Sequence, residues 1–488
     1  MKKYILVIDQ GTTSSRVLLV DKNANIVYKD YILVDLIKTE DNQILQDANE
    51  ILKSVKLLIE RVFINYNLNV DEIDSISITN QRETTVIWNK HTKKAVSYAI
   101  SWQSNHTKYI TDEWIKSGLN NTVFNKTGLL INPYFSASKI KYLFDKYNLN
   151  DEDYLFGTID SFLIYNLTKE NNHYTDITNA SRTMLYNIKT NNWDKELLNK
   201  FKISDKILPK VLNNDDLFGH IEINNKLIPI NAVIGDQQSA LFGHLCLVEG
   251  ETKITYGTGS FILTNLGENL IYSKNGLLTT VAYKLNNGNI NYALEGSVFM
   301  GGEAIKWMKD RLGIINHANE TERMALSSKD NSVFVVPAFL GLGAPYWDSN
   351  IKGSILGLKA NTNKEDIIKA TLNSIAYQVT DILKVIEEES GIKIDSIKVD
   401  GGASKNNYLM KFQADLINAN IIQNKESEIT GLGSAFIAGL KTSFFKSKEE
   451  IRKNSKIKKV FTPTENRKEI EELYSKWKKA VEITSKFV

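Results

Sequence analysis

The sequence predicts an α/β protein of two related domains that face each other across a cleft, and three stretches predict it. The first is Ile5-Leu6-Val7-Ile8-Asp9-Gln10-Gly11-Thr12-Thr13-Ser14-Ser15-Arg16-Val17-Leu18-Leu19-Val20. Two branched apolar runs flank a short polar segment, which reads as a β-hairpin. Its turn offers a glycine for close backbone approach, hydroxyls at Thr12, Thr13, Ser14 and Ser15, and a cation at Arg16, a set suited to a phosphate chain. Asp9, at the strand end, is placed to hold a hydrated Mg²⁺. Alone, the stretch reads equally well as an ordinary polar hairpin tip. The second stretch, Lys253-Ile254-Thr255-Tyr256-Gly257-Thr258-Gly259-Ser260-Phe261-Ile262-Leu263-Thr264, repeats strand, Gly/Thr/Ser turn, strand. One such hairpin in each half would send a phosphate-binding turn into the cleft from either side. The third, Ile397-Lys398-Val399-Asp400-Gly401-Gly402-Ala403-Ser404-Lys405-Asn406-Asn407, reads as strand, Gly-Gly, helix. Its glycine pair lets backbone pass close to a flat ligand such as adenosine.

The remaining elements follow in order. Tyr4 to Ile8, Val17 to Val20 and Ile26 to Tyr31 form a meander, with Asn23-Ala24-Asn25 as a turn. Asp47 to Phe63 carries Ile51, Val55, Leu58, Ile59 and Val62 at helical spacing. Ser75 to Thr79 is a short strand opening into Asn80-Gln81-Arg82-Glu83-Thr84-Thr85, and Val86 to Trp88 is another. The first hundred residues thus run β-β-β-α-β-β. From about 101 to 225 the pattern is irregular and reads as an insertion completing the substrate side of the cleft. The halves divide near Glu249-Gly250-Glu251. The second half reruns the order: strands Ile254 to Tyr256 and Phe261 to Thr264, a helix from about Gly302 to Leu312, and a long helix from about Lys364 to Ser390. That helix is started by Thr362-x-x-Glu365, carries Ile368, Leu372, Ile375, Val379, Ile382 and Ile386 on one face, and stops at Gly391. Gly431 to Gly439 has small residues at helical spacing, read as close helix packing. From Pro463 a stripe of Ile470, Leu473, Tyr474, Trp477 and Val481 predicts a surface helix on the second domain.

At 488 residues the chain exceeds one core and fits two large domains with elaborations. The expected division is 1–248, 249–441 and a helical tail, 442–488. A net charge of +3 with both signs mixed along the chain argues against a nucleic-acid groove or a membrane-binding face. The single cysteine, Cys246, rules out an intrachain disulfide and fits a reducing compartment. The start has no signal-peptide shape and no apolar run is long enough for a bilayer, so the cytoplasm is expected. The six histidines lack metal-ligand spacing.

Asp236, in Val233-Ile234-Gly235-Asp236-Gln237-Gln238, is the sharpest candidate for chemistry. It sits at a strand end and helix start. It reads either as a helix N-cap or as the base that accepts a hydroxyl proton during phosphoryl transfer. Arg82-Glu83 reads either as a surface ion pair or as a donor and acceptor for a small polyol. Trp102, Tyr134 and Phe261 are then candidates to wall the polyol's carbon skeleton, though isolated aromatics are more often core.

Together the three opening stretches resemble the ATP site of the actin, hexokinase and Hsp70 superfamily, which implies two actin-like (ribonuclease H-like) ATPase domains with an interdomain cleft. More specifically, Asp9 to Arg16, Asn80 to Thr85, Asn132-Pro133-Tyr134-Phe135-Ser136, Asn179-Ala180-Ser181-Arg182-Thr183-Met184-Leu185, Gly235 to Gln238, Tyr256 to Gly259, Gly341-Leu342-Gly343-Ala344-Pro345-Tyr346-Trp347 and Asp400 to Ala403 resemble the FGGY carbohydrate kinases, in the order of that family and over nearly the whole chain. The Asn-Gln-Arg-Glu-Thr, Asn-Pro-Tyr-Phe-Ser and Gly-Asp-Gln-Gln set points to its glycerol-phosphorylating members. The resemblance implies ATP and Mg²⁺, glycerol as substrate, and a homodimer or homotetramer. It implies that Arg82, Glu83, Tyr134 and Asp236 contact glycerol, with Gln237, Trp102 and Phe261 beside them, and that Asp236 is the base. It implies nucleotide contacts at Thr12, Thr13, Ser14, Arg16, Thr258, Gly302, Gly402 and Asn406.

Three departures stand out. Lys306 occupies a nucleotide-site position where members usually have Gln. Ser104-Asn105-His106 replaces an acidic or small residue and two arginines. Ile223 to Ile228 is short where regulated bacterial members carry a Gly-rich loop for fructose bisphosphate, which implies that this regulation is absent. Another FGGY sugar kinase, or an ATPase of the actin or Hsp70 kind, remains the alternative reading.

Overall fold

The computed structural model describes every residue except 1, 42, 340, 349, 465, 466 and 488. Its frame is two large sheets with the same plan. In the first the order is His220–Ile223, Lys226–Gly235, Ile73–Asn80, Tyr4–Gln10, Ser14–Asp21, Ile26–Leu33. Tyr4–Gln10 and Ser14–Asp21 form the expected hairpin, with Asp9 opposite Arg16. Tyr4–Gln10, Ile73–Asn80 and Lys226–Gly235 run parallel, with Gln10 beside Asn80 and Gly235 also beside Asn80. Asp9, Arg82 and Asp236 are therefore delivered to one edge, the carboxyl ends of three parallel strands, where open α/β sheets place ligands.

The second sheet runs Leu278–Tyr283, Asn291–Val298, Ser260–Asn265, Thr252–Tyr256, Ser396–Asp400, Asn420–Asn424, Ile457–Phe461. Its hairpin pairs Tyr256 with Ser260, and the parallel neighbour sets Thr255 beside Asp400. The helix Lys364–Ser390 lays the six predicted apolar residues against this sheet, all fully buried, and ends on left-handed Gly391 at φ 69°. The helix Ile429–Lys441 packs back on the first sheet. It also packs on the helix Asp236–Gly243, where a Cβ on Gly433 would lie 1.8 Å from the Ser239 carbonyl oxygen, which is why small residues line it. The tail helix Arg467–Ser485 is fixed by Asp381, whose buried carboxylate accepts from Tyr346 Oη at 2.8 Å, Tyr474 Oη at 2.5 Å and Trp477 Nε1 at 2.9 Å.

Four elements differ from expectation. Val86–Asn89 leaves the main sheet and pairs with Tyr154–Gly157, because Trp88 is packed edge-on against Phe162 and His173. The strand that extends the first sheet is instead Lys226–Gly235. The stretch 101–225 is ordered rather than irregular: the helices Lys108–Lys116, Asn120–Thr127, Ser136–Tyr147, Ile159–Leu167 and Lys195–Phe201 alternate with short strands such as Tyr154–Gly157 and Tyr174–Asp176. These helices are two to three turns long, too short for a clear periodic signal, and tertiary contacts such as the Trp114–Phe201 stack at 3.9 Å hold them. The long helix is capped one residue later than expected, by Asn363 with Asp366, because the Thr362 hydroxyl accepts from Lys359 N and closes the preceding turn. Ile457–Phe461 is a lysine-bearing edge strand, a pattern that blocks further pairing.

Candidate active site

Arg82 and Glu83 follow the strand Ile73–Asn80 and are both buried, so the surface ion-pair reading does not hold. Their charges are answered mainly by other residues. Arg82 donates Nη1 and Nη2 to the two carboxylate oxygens of Glu295, each at 2.8 Å, and Nη1 also to Gln238 Oε1 at 3.1 Å. Glu83 accepts from Arg182 Nε at 2.6 Å, and Arg182 Nη2 reaches Glu295 at 3.1 Å. The result is a four-charge ring between Arg82-Glu83, Arg182 and Glu295 on the second sheet. Arg82 Nε faces two further carboxylates, 3.4 Å from Asp236 Oδ1 and 3.9 Å from Glu83 Oε1. Gly235 makes room for this side chain: a Cβ there would sit 2.9 Å from Arg82 Cγ and Cδ.

Glu83 has φ 60°, a left-handed conformation that costs a side-chain-bearing residue energy. Lys139 Nζ and Ser136 Oγ each donate to its carbonyl at 3.2 Å and hold it there. Lys139 also donates to the Tyr134 carbonyl at 2.7 Å, and burial lowers its pKa to about 7.

Asp236 is the first residue of the helix Asp236–Gly243, and Gly235 is the N-cap. Gly235, not Asp236, is thus the N-cap residue and has the extended dihedrals of a cap. Asp236 Oδ1 accepts from Gln237 N at 2.7 Å and its Oδ2 from Gln237 Nε2 at 3.4 Å. Burial raises the Asp236 pKa, while Arg82 and then Lys253 oppose the rise.

Trp102, Tyr134 and Phe261 come together, with Trp102 edge-on to Tyr134 at 5.5 Å and to Phe261 at 6.2 Å. The Trp102 indole also donates to Thr12 Oγ1 at 2.9 Å, tying this aromatic wall to the first hairpin turn. Gln46 Nε2 holds the Thr12 carbonyl at 2.8 Å. Thr13 lies exposed at the tip. Ser14 Oγ accepts from Arg16 Nε at 3.1 Å, and Arg16 Nη1 pairs with Glu428 at 3.1 Å.

The second hairpin turn docks on the start of the helix Gly302–Asp310. Gly302 N donates to the Gly257 carbonyl at 2.8 Å and Glu303 N to the Thr258 carbonyl at 3.0 Å. Lys306 is exposed one turn along, 3.8 Å from Glu303. In the third element, Gly401 has φ 88° and a Cβ would lie 2.4 Å from the Tyr256 carbonyl oxygen, whereas Gly402 borders open space. Asn406 caps the helix Asn407–Ile417 and also donates to Thr321 Oγ1 at 3.1 Å, so its side chain is already engaged at both ends. The unusual Ser104-Asn105-His106 is locally knitted: Ser104 Oγ accepts from Ile44 N at 2.9 Å and meets His106 Nδ1 at 2.8 Å.

Asp9 is buried at the end of its strand, and burial raises its pKa to about 7, opposed by Arg16. A hydrated Mg²⁺ takes one or two carboxylates and completes its shell with water and phosphate, and Asp9 supplies one such oxygen donor at the strand end once it is ionised. Among the described residues no group of three His, Cys, Asp or Glu gathers as a dedicated metal cage.

Sequence reasoning missed Glu295, Arg182, Lys139 and Lys253 as members of this site. Glu295 left a signal: it is a lone charge inside Tyr292-Ala293-Leu294-Glu295-Gly296, a stretch that is otherwise apolar.

Two sheets of one plan, each offering a hairpin turn to a shared cleft around a buried carboxylate, define a phosphotransferase architecture. Residues 4–243 match the N-terminal domain of the FGGY family of carbohydrate kinases and residues 252–442 its C-terminal domain. The chain belongs to that family. It is 44% identical to a glycerol kinase of Staphylococcus haemolyticus over 100% of this chain and 99% of the relative. It is 46% identical to a glycerol kinase of Fusobacterium nucleatum, covering 99% of each. Its structure superposes on that of Plasmodium falciparum glycerol kinase with ADP at a TM-score of 0.93 and 36% identity, covering 99% of this chain and 98% of that one.

Proposed function

We propose that the protein is a glycerol kinase: it transfers the γ-phosphoryl group of ATP to glycerol, giving sn-glycerol 3-phosphate and ADP. The observation that carries this reading is full-length identity of 44–46% to glycerol kinases; the proximity of Arg82 to Asp236 and of Tyr134 to the Arg182 guanidinium supports it.

Glycerol is uncharged, so its recognition falls to hydrogen bonds and apolar walls. Arg82 donates from its Nε edge, Glu83 accepts, Gln237 lies beside them, and Trp102, Tyr134 and Phe261 flank the carbon chain. Glu295 keeps the terminal nitrogens of Arg82 occupied, which fixes the orientation of that edge. Asp236 accepts the proton of the attacking hydroxyl; the hydroxyl oxygen bonds to the γ-phosphorus as the bond to the β–γ bridging oxygen breaks and ADP leaves. Burial makes Asp236 a stronger base than an exposed carboxylate, and Arg82 opposes that rise. Thr12, Thr13, Ser14 and Arg16 from one side, and Thr258, Gly302 and Lys306 from the other, bracket the phosphates. Gly402 and Asn406 border the adenosine, Asn406 by its cap geometry rather than a free amide. Asp9 would hold Mg²⁺, which supplies charge neutralisation on the phosphates when bound.

The same proposal includes the division 1–248, 249–441 and 442–488, a homodimer or homotetramer, and a cytoplasmic location supported by the free, buried thiol of Cys246. No helix among the described residues is long and apolar enough to cross a membrane.

The test is ADP release measured with glycerol, with a ketose, with a sugar acid and with no acceptor. Release that depends on glycerol supports the reading. A preference for a sugar substrate, or acceptor-independent turnover accompanied by polymer formation, would overturn it.

A further inference from the structure

Lys253 is a buried cation in the cleft that the reaction as written leaves unused. It lies in the strand Thr252–Tyr256 with no solvent exposure. Its ammonium donates to Gln237 Oε1, to Thr255 Oγ1 at 3.1 Å and to the Phe261 carbonyl at 3.4 Å. All three acceptors are neutral. A buried ammonium without direct anionic contact is costly, and folds retain such groups rarely. Burial lowers its pKa to about 8, with Asp400, Asp236 and Glu295 pulling it back up and Arg82 pushing it down.

What the lysine does is visible at Gln237. A primary amide can be turned either way, and its two ends differ only in being donor or acceptor. Lysine can only donate, so its contact forces the Gln237 oxygen toward Lys253 and the Gln237 NH₂ toward Asp236 Oδ2, 3.4 Å away. The Gln237 backbone N–H holds the other carboxylate oxygen at 2.7 Å. Turned the other way, the amide would set its oxygen against the Asp236 carboxylate. Gln237 and Asp236 stand on the helix that follows the first sheet, while Lys253 stands on the second.

We propose that Lys253 is a positioning residue for phosphoryl transfer: by fixing the Gln237 amide from the opposite sheet, it holds the Asp236 carboxylate in the orientation that takes the glycerol proton. This rests on Asp236 being the base.

The experiment compares wild type, Lys253→Met, Gln237→Met and the double variant for kcat, both KM values and melting temperature. Lys253→Met lowers kcat at least tenfold and changes the ATP KM less than twofold. Its melting temperature holds or rises, because an apolar side chain replaces a buried charge. In the Gln237→Met background the same change lowers kcat less than threefold further, since the route through the amide is already gone. Should Lys253→Met fail to fold, Lys253→Gln carries the same comparison. An active wild type whose Lys253 variant keeps kcat within twofold, or whose double variant shows the two losses multiplied, overturns the proposal alone. A wild type without glycerol-dependent ADP release overturns the functional reading, and this one with it.

Discussion

Asp236→Asn separates a base from a structural carboxylate, and the structure sets what the substitution removes. Gly235, not Asp236, caps the helix, so no cap is lost. The asparagine oxygen can still accept from Gln237 N, as Oδ1 does now at 2.7 Å. Arg82 loses a negative neighbour at 3.4 Å but keeps both bonds to Glu295 at 2.8 Å. The fold therefore has little to lose. It has something to gain, because a carboxylate whose pKa burial has raised is destabilising when ionised at neutral pH. Catalysis loses the proton acceptor. Loss of a general base costs roughly 10²–10⁴ in rate, or about 3–5 kcal/mol in activation free energy. The expected result is a fall in kcat of that size, with unchanged ADP affinity and a melting temperature equal to wild type or higher. The assay is glycerol-dependent ADP release at saturating substrates, run beside a thermal melt and an ADP titration. A variant retaining more than about a tenth of wild-type kcat would refute the base role. A loss of activity that tracks a loss of melting temperature would place Asp236 in the fold instead.

Other predictions follow from neighbouring contacts. Arg82→Ala raises the glycerol KM more than about tenfold, about 1.4 kcal/mol, and leaves the ATP KM near wild type; an unchanged glycerol KM would remove Arg82 from the substrate. Glu295→Gln raises the glycerol KM in the same way and also lowers the melting temperature, since breaking a buried ion pair costs about 3–5 kcal/mol; steady-state kinetics and a melt read both effects. Acid removes one contribution to stability at His173, while Asp9, whose carboxyl burial raises to about 7, acts in the opposite sense as pH falls. Burial lowers the His173 pKa from 6.5 to about 4, so between those values the unfolded chain takes a proton that the native chain refuses. Stability is then lost as pH falls through that window, by about 3 kcal/mol for this group, with His106 acting in the same sense. Urea melts of wild type and His173→Gln at pH 7 and pH 4 isolate this contribution: on going to pH 4 the wild type should lose about 3 kcal/mol relative to the variant, and equal pH responses would refute it. Finally, fructose 1,6-bisphosphate at millimolar levels should leave the rate unchanged, because His220–Ile223 and Lys226–Gly235 are joined by only Asn224 and Asn225, at φ 49° and 62°. Inhibition that appears only with a tetramer would contradict this.

The parts of the site legible in the sequence are those whose chemistry is contiguous along the chain. The hairpin turns, the Gly401-Gly402 pair and Asp236 each carry strand, turn and functional group within about a dozen residues, and local pattern suffices for them. Orientation of helix ends was legible too, except for the one-residue slip from Thr362 to Asn363, where a hydroxyl had a competing turn to close. What the sequence did not disclose depends on register between distant strands. Glu295 meets Arg82 only because the strand Asn291–Val298 pairs with Ser260–Asn265 in a register that sets Glu295 opposite Leu263. Lys253 meets Gln237 only across the two halves.

Yet these hidden residues share a local mark. Arg182 is fully buried with Nη1 unpartnered, Glu295 is fully buried in an apolar strand, and Lys139 and Lys253 are fully buried lysines. Each contradicts the rule that charge stays in water, and each contradiction falls at the cleft. Lys139 and Lys253 are answered by neutral oxygens, whereas Arg182 and Glu295 are answered by other charges. Here the answering charges belong to opposite halves, so Arg82, Arg182 and Glu295 stabilise the fold only when both sheets are seated together. The energetic cost of burying them is then what makes the geometry at Asp236 specific. An apolar replacement of the whole ring could pack as well or better, but it would leave Arg82 free to turn and the Nε edge without a fixed direction.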